Sequence, residues 1–220
     1  MSTTKRQARH AGLLYLLLAL SACAFMACDK DNNDDPDTPP GPGSPTIEDF
    51  APLAIGNYWV YERYWYDSLG NETLTPLTDS LAVVGDTVHN GNTYFILQGT
   101  RQVMMNQPYR SYVRDSADCL IGLGGGVSFS LSDLGSVLYV SDYPPPATIT
   151  WSTQPTTVVH TVPAGTWTCY VTNGVVEYPG FPTRIIRRFR GQGIGPVQDE
   201  SVYAEPGAGF RHKLVRYHLE

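Results

Sequence analysis

Tyr58-Trp59-Val60-Tyr61-Glu62-Arg63-Tyr64-Trp65-Tyr66 is a run of nine residues of which six are aromatic. Side chains on a strand alternate between its two faces, so Trp59, Tyr61 and Trp65 would share one face and Tyr58, Tyr64 and Tyr66 the other. Large aromatics favour a pleated, half-buried surface, and no 3.6-residue periodicity competes with this reading. Gly56 and Asn57 suit a sharp lead-in to the strand, and Trp59 with Tyr61 are expected in the core.

The same grammar continues outward from this strand. A turn around Ser68, Gly70 and Asn71 leads to candidate strands at Ser80–Val84 and Thr93–Gln98, with Asn90, Gly91 and Asn92 supplying the positive φ of a tight hairpin. Further candidates are Tyr109–Arg114, Cys119–Leu123, Val127–Leu131, Val137–Val140, Thr157–Thr161, Thr166–Thr172, Thr183–Arg190, Gly195–Tyr203 and Phe210–Leu219. A helical excursion is expected near Leu131–Leu138. About a dozen short strands with tight turns predict an all-β fold, an antiparallel meander forming a curved sheet, a barrel or a two-sheet sandwich. Composition agrees: 21 Gly, 17 Pro and 14 Tyr against 4 Met favour strands and turns over long helices.

The first residues read as an address. Lys5, Arg6 and Arg9 precede an apolar run from Gly12 to Leu20, followed by small residues around two cysteines, which is the layout of a secretory signal. Leu20-Ser21-Ala22-Cys23 and Phe25-Met26-Ala27-Cys28 both resemble the lipobox of bacterial lipoproteins, in which the cysteine is acylated, palmitate being a typical chain. Cys28 is preferred to Cys23, because Cys23 would leave an apolar Ala24–Ala27 stub between lipid and tether. Residues 29–48 carry six acidic residues, one base and five prolines, with almost nothing to bury. The expected organisation is therefore a signal at 1–27, an acidic Pro-rich tether at 28–48 and one β domain at 49–220. The acidic residues directly after Cys28 resemble a signal that some bacteria use to carry lipoproteins to the outer surface. The expected location is the bacterial envelope, on the outer membrane, facing periplasm or exterior.

The whole chain of 220 residues carries 15 Lys+Arg against 21 Asp+Glu, a net charge of −6. Loss of residues 1–27 takes it to about −9, and Lys213 is the one lysine left beyond the tether. Such a body lacks the cationic field that dominates affinity for phosphate backbones, so nucleic acid is excluded as a partner.

Pro52, Leu53, Gly56, Asn57, Trp59 and Tyr61 (PLAIGNYWVY) resemble the P-L-x-x-G-N-x-W-x-Y opening of a large set of uncharacterised bacterial envelope lipoproteins. Val162–Trp167 is similar to their V-P-A-G-T-[FW] segment, and Gly193-Ile194-Gly195-Pro196-Val197 to their G-[IV]-G-x-V segment. The resemblance implies the compartment and a β fold, and it carries no agreed activity. Pro196 departs from the pattern and suggests an edge or a bulge.

Chemical signatures are sparse. His89, His160, His212 and His218 show no metal-ligand spacing, no G-x-S-x-G elbow occurs, and the glycines at 191, 193 and 195 open no helix, so no metal, no cofactor and no enzyme activity is expected. Cys119 and Cys169 would form a disulfide in an oxidising envelope or remain as two buried thiols. Tyr58, Tyr64, Trp65 and Tyr66 are candidates for a stacking platform or cavity wall that takes a glycan or a lipid. Arg184, Arg188 and Arg190 share a face that is either an ordinary solvated strip paired with carboxylates or an anion clamp. The expected function is a non-catalytic module, anchored to the membrane by its lipid, that binds a glycan or lipid-like ligand. The alternative is an assembly component that docks another envelope protein through a sheet edge or an apolar patch.

Overall fold

The aromatic run forms strand β1, Tyr58–Tyr66, in a computed structural model that describes residues 43–100, 108–143, 147–202 and 207–220. A short helix precedes it, α1 at Ile47–Phe50, and twelve strands follow: β2 Glu72–His89, β3 Asn92–Gly99, β4 Tyr109–Ser116, β5 Cys119–Gly122, β6 Val127–Ser130 and β7 Val137–Tyr143, then β8 Ala147–Thr153, β9 Val158–Val162, β10 Gly165–Glu177, β11 Arg184–Gly191, β12 Gly195–Val202 and β13 Gly209–His218. The expected signal segment, both candidate lipobox cysteines, Cys23 and Cys28, and most of the expected tether lie outside the described residues.

All ladders are antiparallel, and the strands lie in the order β6-β5-β4-β3-β2-β1-β13-β12-β11-β10-β8-β7, with β9 added on β10. The sheet curls until its two ends, β6 and β7, approach each other, so the meander becomes a nearly closed barrel rather than a sandwich. Residues 131–136 tie the seam, because the Leu131 N–H donates to the Asp118 carbonyl at 2.9 Å and the Gly135 N–H to the Thr153 carbonyl at 2.7 Å. That turn stands where a helical excursion was expected, since closing the barrel draws both ends of the segment into neighbouring strands. The β2–β3 hairpin turns at Asn90 and Gly91, both with positive φ (50° and 76°), as its sequence requires. Pro196 sits where the β11–β12 register shifts, so its missing donor falls at a bulge.

Three buried clusters fill the fold. One gathers Trp59 and Tyr61 with Val83, Val197 and Leu214, another Ile47 and Phe50 with Val113, Leu120 and Phe129, and the third Ile149, Trp151, Val176 and Ile186. Together they lie within the compact unit Ser44–Glu220, which thus contains the apolar burial it needs to fold on its own. Ile47 (2% exposed) and Phe50 (1%) are core residues, so the folded body starts ahead of the Asp49 boundary drawn from composition. Phe50 packs on Phe129 of β6 and Tyr170 of β10, with ring centroids 6.0 and 5.1 Å away, and bridges two walls of the barrel. The Asn57 side chain donates to the Pro52 carbonyl and accepts the Glu220 N–H at 2.7 Å, fastening the lead-in to the last strand.

Candidate functional site

Seven neighbouring strands each contribute one residue to a polar band across the inner face of the barrel. Arg63 of β1 lies opposite His212 of β13, His212 opposite Asp199 of β12, and Asp199 opposite Arg188 of β11. Beyond Arg188 the band continues as Thr172 of β10 and Thr153 of β8, whose hydroxyls are 3.3 Å apart. On the other side Asp79 of β2 closes it. The Arg63 Nη2 donates to Asp79 Oδ1 at 3.0 Å and its Nε to Oδ2 at 3.3 Å, while His212 Nε2 lies 3.1 Å from Oδ2. Burial would raise the Asp79 carboxyl, but the hydrogen bond and charge of His212 and the Arg63 guanidinium outweigh it and hold it below its ordinary range. The Arg188 Nε is 3.5 Å from Asp199 Oδ1, and its guanidinium stacks 3.7 Å over the Trp151 ring.

Next to this band the barrel encloses a cavity of about 350 Å³. Trp59, Leu81, Leu97, Val113 and Leu120 give it apolar walls, Ala51, Pro52 and Leu53 cover it from the α1 side, and Ser111, Tyr112 and Ser128 add hydroxyls. Arg188 and Arg190 complete the lining, which holds no carboxylate among the described residues. A smaller space bounded by Tyr61, Asp79 and His212 shares Leu81, Tyr109 and Pro196 with the cavity and leads to the charged band.

The candidate residues read from the sequence separate onto two faces. Arg188 and Arg190 line the cavity, because the curl of the sheet turns their face inward, and Arg188 also pairs with Asp199 while its side chain stays 34% exposed; Arg184, on the same face, is not part of the lining. Trp65 shares the face of Arg63 but lies beyond the band, 39% exposed and opposite Phe210. Tyr58, Tyr64 and Tyr66 are on the opposite face and are covered there. His218 stacks on Tyr58, the Lys213 ammonium lies 4.8 Å from the Tyr64 ring, and the Arg211 guanidinium 4.5 Å from the Tyr66 ring. Arg211 and Lys213 also pair with Glu72, so this face is a salt-bridged exterior rather than a stacking platform.

Cys119 and Cys169 are two separate buried thiols, and the disulfide is not formed. Cys119 donates to the Ser130 hydroxyl, whereas Cys169 lies in the Trp59 cluster, where burial pushes its thiol up to about 12. The register places the two in different parts of the barrel, which their count in the sequence does not reveal. Among the described residues no group of three His, Cys, Asp or Glu side chains is placed to hold a metal.

Sequence reasoning assigns Arg63, Asp79, Asp199 and His212 to no site, His212 being weighed there only as a metal ligand. The one available signal was parity, since Arg63 falls on the same face as Trp59 and Tyr61 within a strand whose opposite face is also aromatic. Its partners lie on strands that only the ladder register brings together.

No family model matches the chain, and no curated protein matches it. Among solved structures it is similar to a candidate exported protein with a YmcC-like fold from Bacteroides fragilis, with a TM-score of 0.42 and 17% identity over 77% of this chain and 98% of that one. It is also similar to a candidate lipoprotein from Parabacteroides distasonis, with a TM-score of 0.46 and 14% identity over 80% of this chain and all of that one.

Proposed function

We propose that the protein is a cell-envelope lipoprotein, anchored through Cys28 or Cys23, whose barrel binds a lipid-like ligand without catalysing a reaction on it. The observation that carries this reading is the cavity: about 350 Å³ of largely apolar, partly enclosed space inside a β scaffold, with a few polar groups in its lining. Apolar walls favour a lipid over a glycan, whose hydroxyls would require hydrogen-bonding partners all round. The expected alternative, docking through a sheet edge or an apolar patch, receives less support at β6 and β7, which residues 131–136 bring together, and an edge-docking partner would fall to β9, which pairs with β10 alone among the described strands.

Native mass spectrometry of Ser44–Glu220 purified from a bacterial envelope, compared with its denatured mass, tests the proposal. The expected result is a noncovalent adduct that extracts into organic solvent. A bare mass, together with no change in tryptophan fluorescence on adding single-chain amphiphiles, would count against ligand binding and return the docking role to first place.

A further inference from the structure

The lining of the cavity joins two kinds of surface. Ala51, Pro52, Leu53, Trp59, Leu81 and Leu97 give it apolar walls, whereas Arg188, a member of the charged band, and Arg190, two residues along the same face, bring two guanidiniums to it. Successive same-face residues on a strand are about 7 Å apart, a spacing at which two guanidiniums converge on a single head group.

Arg188 is held in place before any ligand arrives. Its guanidinium lies flat on Trp151 at 3.7 Å, its Nε faces Asp199 at 3.5 Å, and Nη1 reaches the Tyr139 hydroxyl at 3.4 Å. Arg190 lies over the Phe129 ring at 5.5 Å. Stacking fixes the plane of a guanidinium, so little side-chain entropy remains to be lost on binding.

Resting on the reading of the barrel as a lipid-binding site, we infer that its ligand is an anionic single-chain amphiphile, with a carboxylate or phosphate head on Arg188 and Arg190 and its chain between Trp59, Leu81 and Leu97. A cationic head would bring a positive group against two guanidiniums, of which Arg188 is paired with Asp199, in a lining that holds no acidic residue among the described ones. A neutral alcohol would fill the same apolar volume without charge-assisted hydrogen bonds.

The test titrates Ser44–Glu220 with dodecanoate, dodecyl phosphate, dodecanol and dodecyltrimethylammonium below their micellar concentrations, reading Trp59 and the other tryptophans by fluorescence. The expected result is that at least one of the two anions binds about tenfold or more tightly than dodecanol, with the cation weakest. Whichever anion is favoured identifies the head group. In Arg190→Gln this preference is expected to collapse, the ratio of anion to dodecanol affinity falling towards one. Should the variant not fold, the wild-type comparison and its loss of anion preference at high salt decide the matter. Dodecanol binding as tightly as both anions would overturn the head-group assignment and leave the lipid-binding reading standing. Failure of all four to bind would overturn both.

Discussion

Replacing Asp79 by Asn tests whether the polar band holds the barrel together. The substitution keeps size and shape but removes the charge that faces Arg63 at 3.0 Å and His212 at 3.1 Å, in a place where the three side chains are 1%, 5% and 2% exposed. A guanidinium that has lost its counter-charge inside a protein cannot neutralise itself, so the cost is that of breaking a buried pair, about 3 to 5 kcal/mol. In a domain of this size each kcal/mol moves the melting temperature by about 2 to 4 °C, which predicts a fall of about 6 to 20 °C. Equilibrium unfolding in guanidinium chloride, followed by tryptophan fluorescence, measures it. The double variant Arg63→Met/Asp79→Leu, which removes both charges together, is expected to regain most of the loss. The pH dependence has a definite sign. Because the folded carboxyl titrates below its ordinary value, its stabilisation is complete above about pH 4 and disappears as pH falls through the folded value. Asp79→Asn should therefore unfold with a flatter acid limb than the wild type. A loss below about 1 kcal/mol, with no recovery in the double variant, would refute the reasoning.

Three further outcomes follow from packing. Gly174→Ala would place a Cβ within 3.0 Å of Ile186, Trp151 and Ile149 side-chain atoms, and is expected to cost about 1 to 3 kcal/mol in thermal or chemical unfolding. Phe50→Ala, which removes the ring between β6 and β10, should cost about 3 to 5 kcal/mol by the same measurement, and a negligible effect would mean that α1 only rests on the barrel. Cys119 and Cys169 are expected to resist iodoacetamide in the folded protein and to react fully once unfolded without reductant, as peptide mapping would show; unreactive cysteines after unfolding would mean a disulfide.

Strand content was legible wherever burial alternated and turns were marked. Tyr58–Tyr66 was bounded correctly because aromatics fill it from end to end, and the Asn90–Gly91 turn located the β2–β3 hairpin. Three elements escaped for separate reasons. The first half of β2, Glu72–Thr78, is mostly exposed and contains Pro76, so it lacks the apolar alternation that announces a strand. In β8, Ala147, Ile149, Trp151 and Thr153 alternate as buried residues, but Thr and Ser between them and prolines before them read as loop. Helix α1 is a single turn whose buried Ile47 and Phe50 follow a Pro-rich acidic stretch. For the site, the shared face of Arg188 and Arg190 could be read from spacing, but whether it looked inward depended on the closure of the sheet, a property of the whole meander rather than of any one strand.

The band of charges explains why the inner face divides as it does. An ion network of this kind gives little stability over well-packed apolar residues of the same volume, so its role is better sought in specificity. Strand side chains have a period of two, and a one-residue slip of β13 against β1 would turn Arg211 and Lys213 inward and His212 and Leu214 outward. Such a slip would bury two cations opposite Arg63 while separating both from Glu72, a change far costlier than an apolar mismatch. The band therefore fixes the register of the strands that carry it, and register is what sets Arg188 and Arg190 against the cavity.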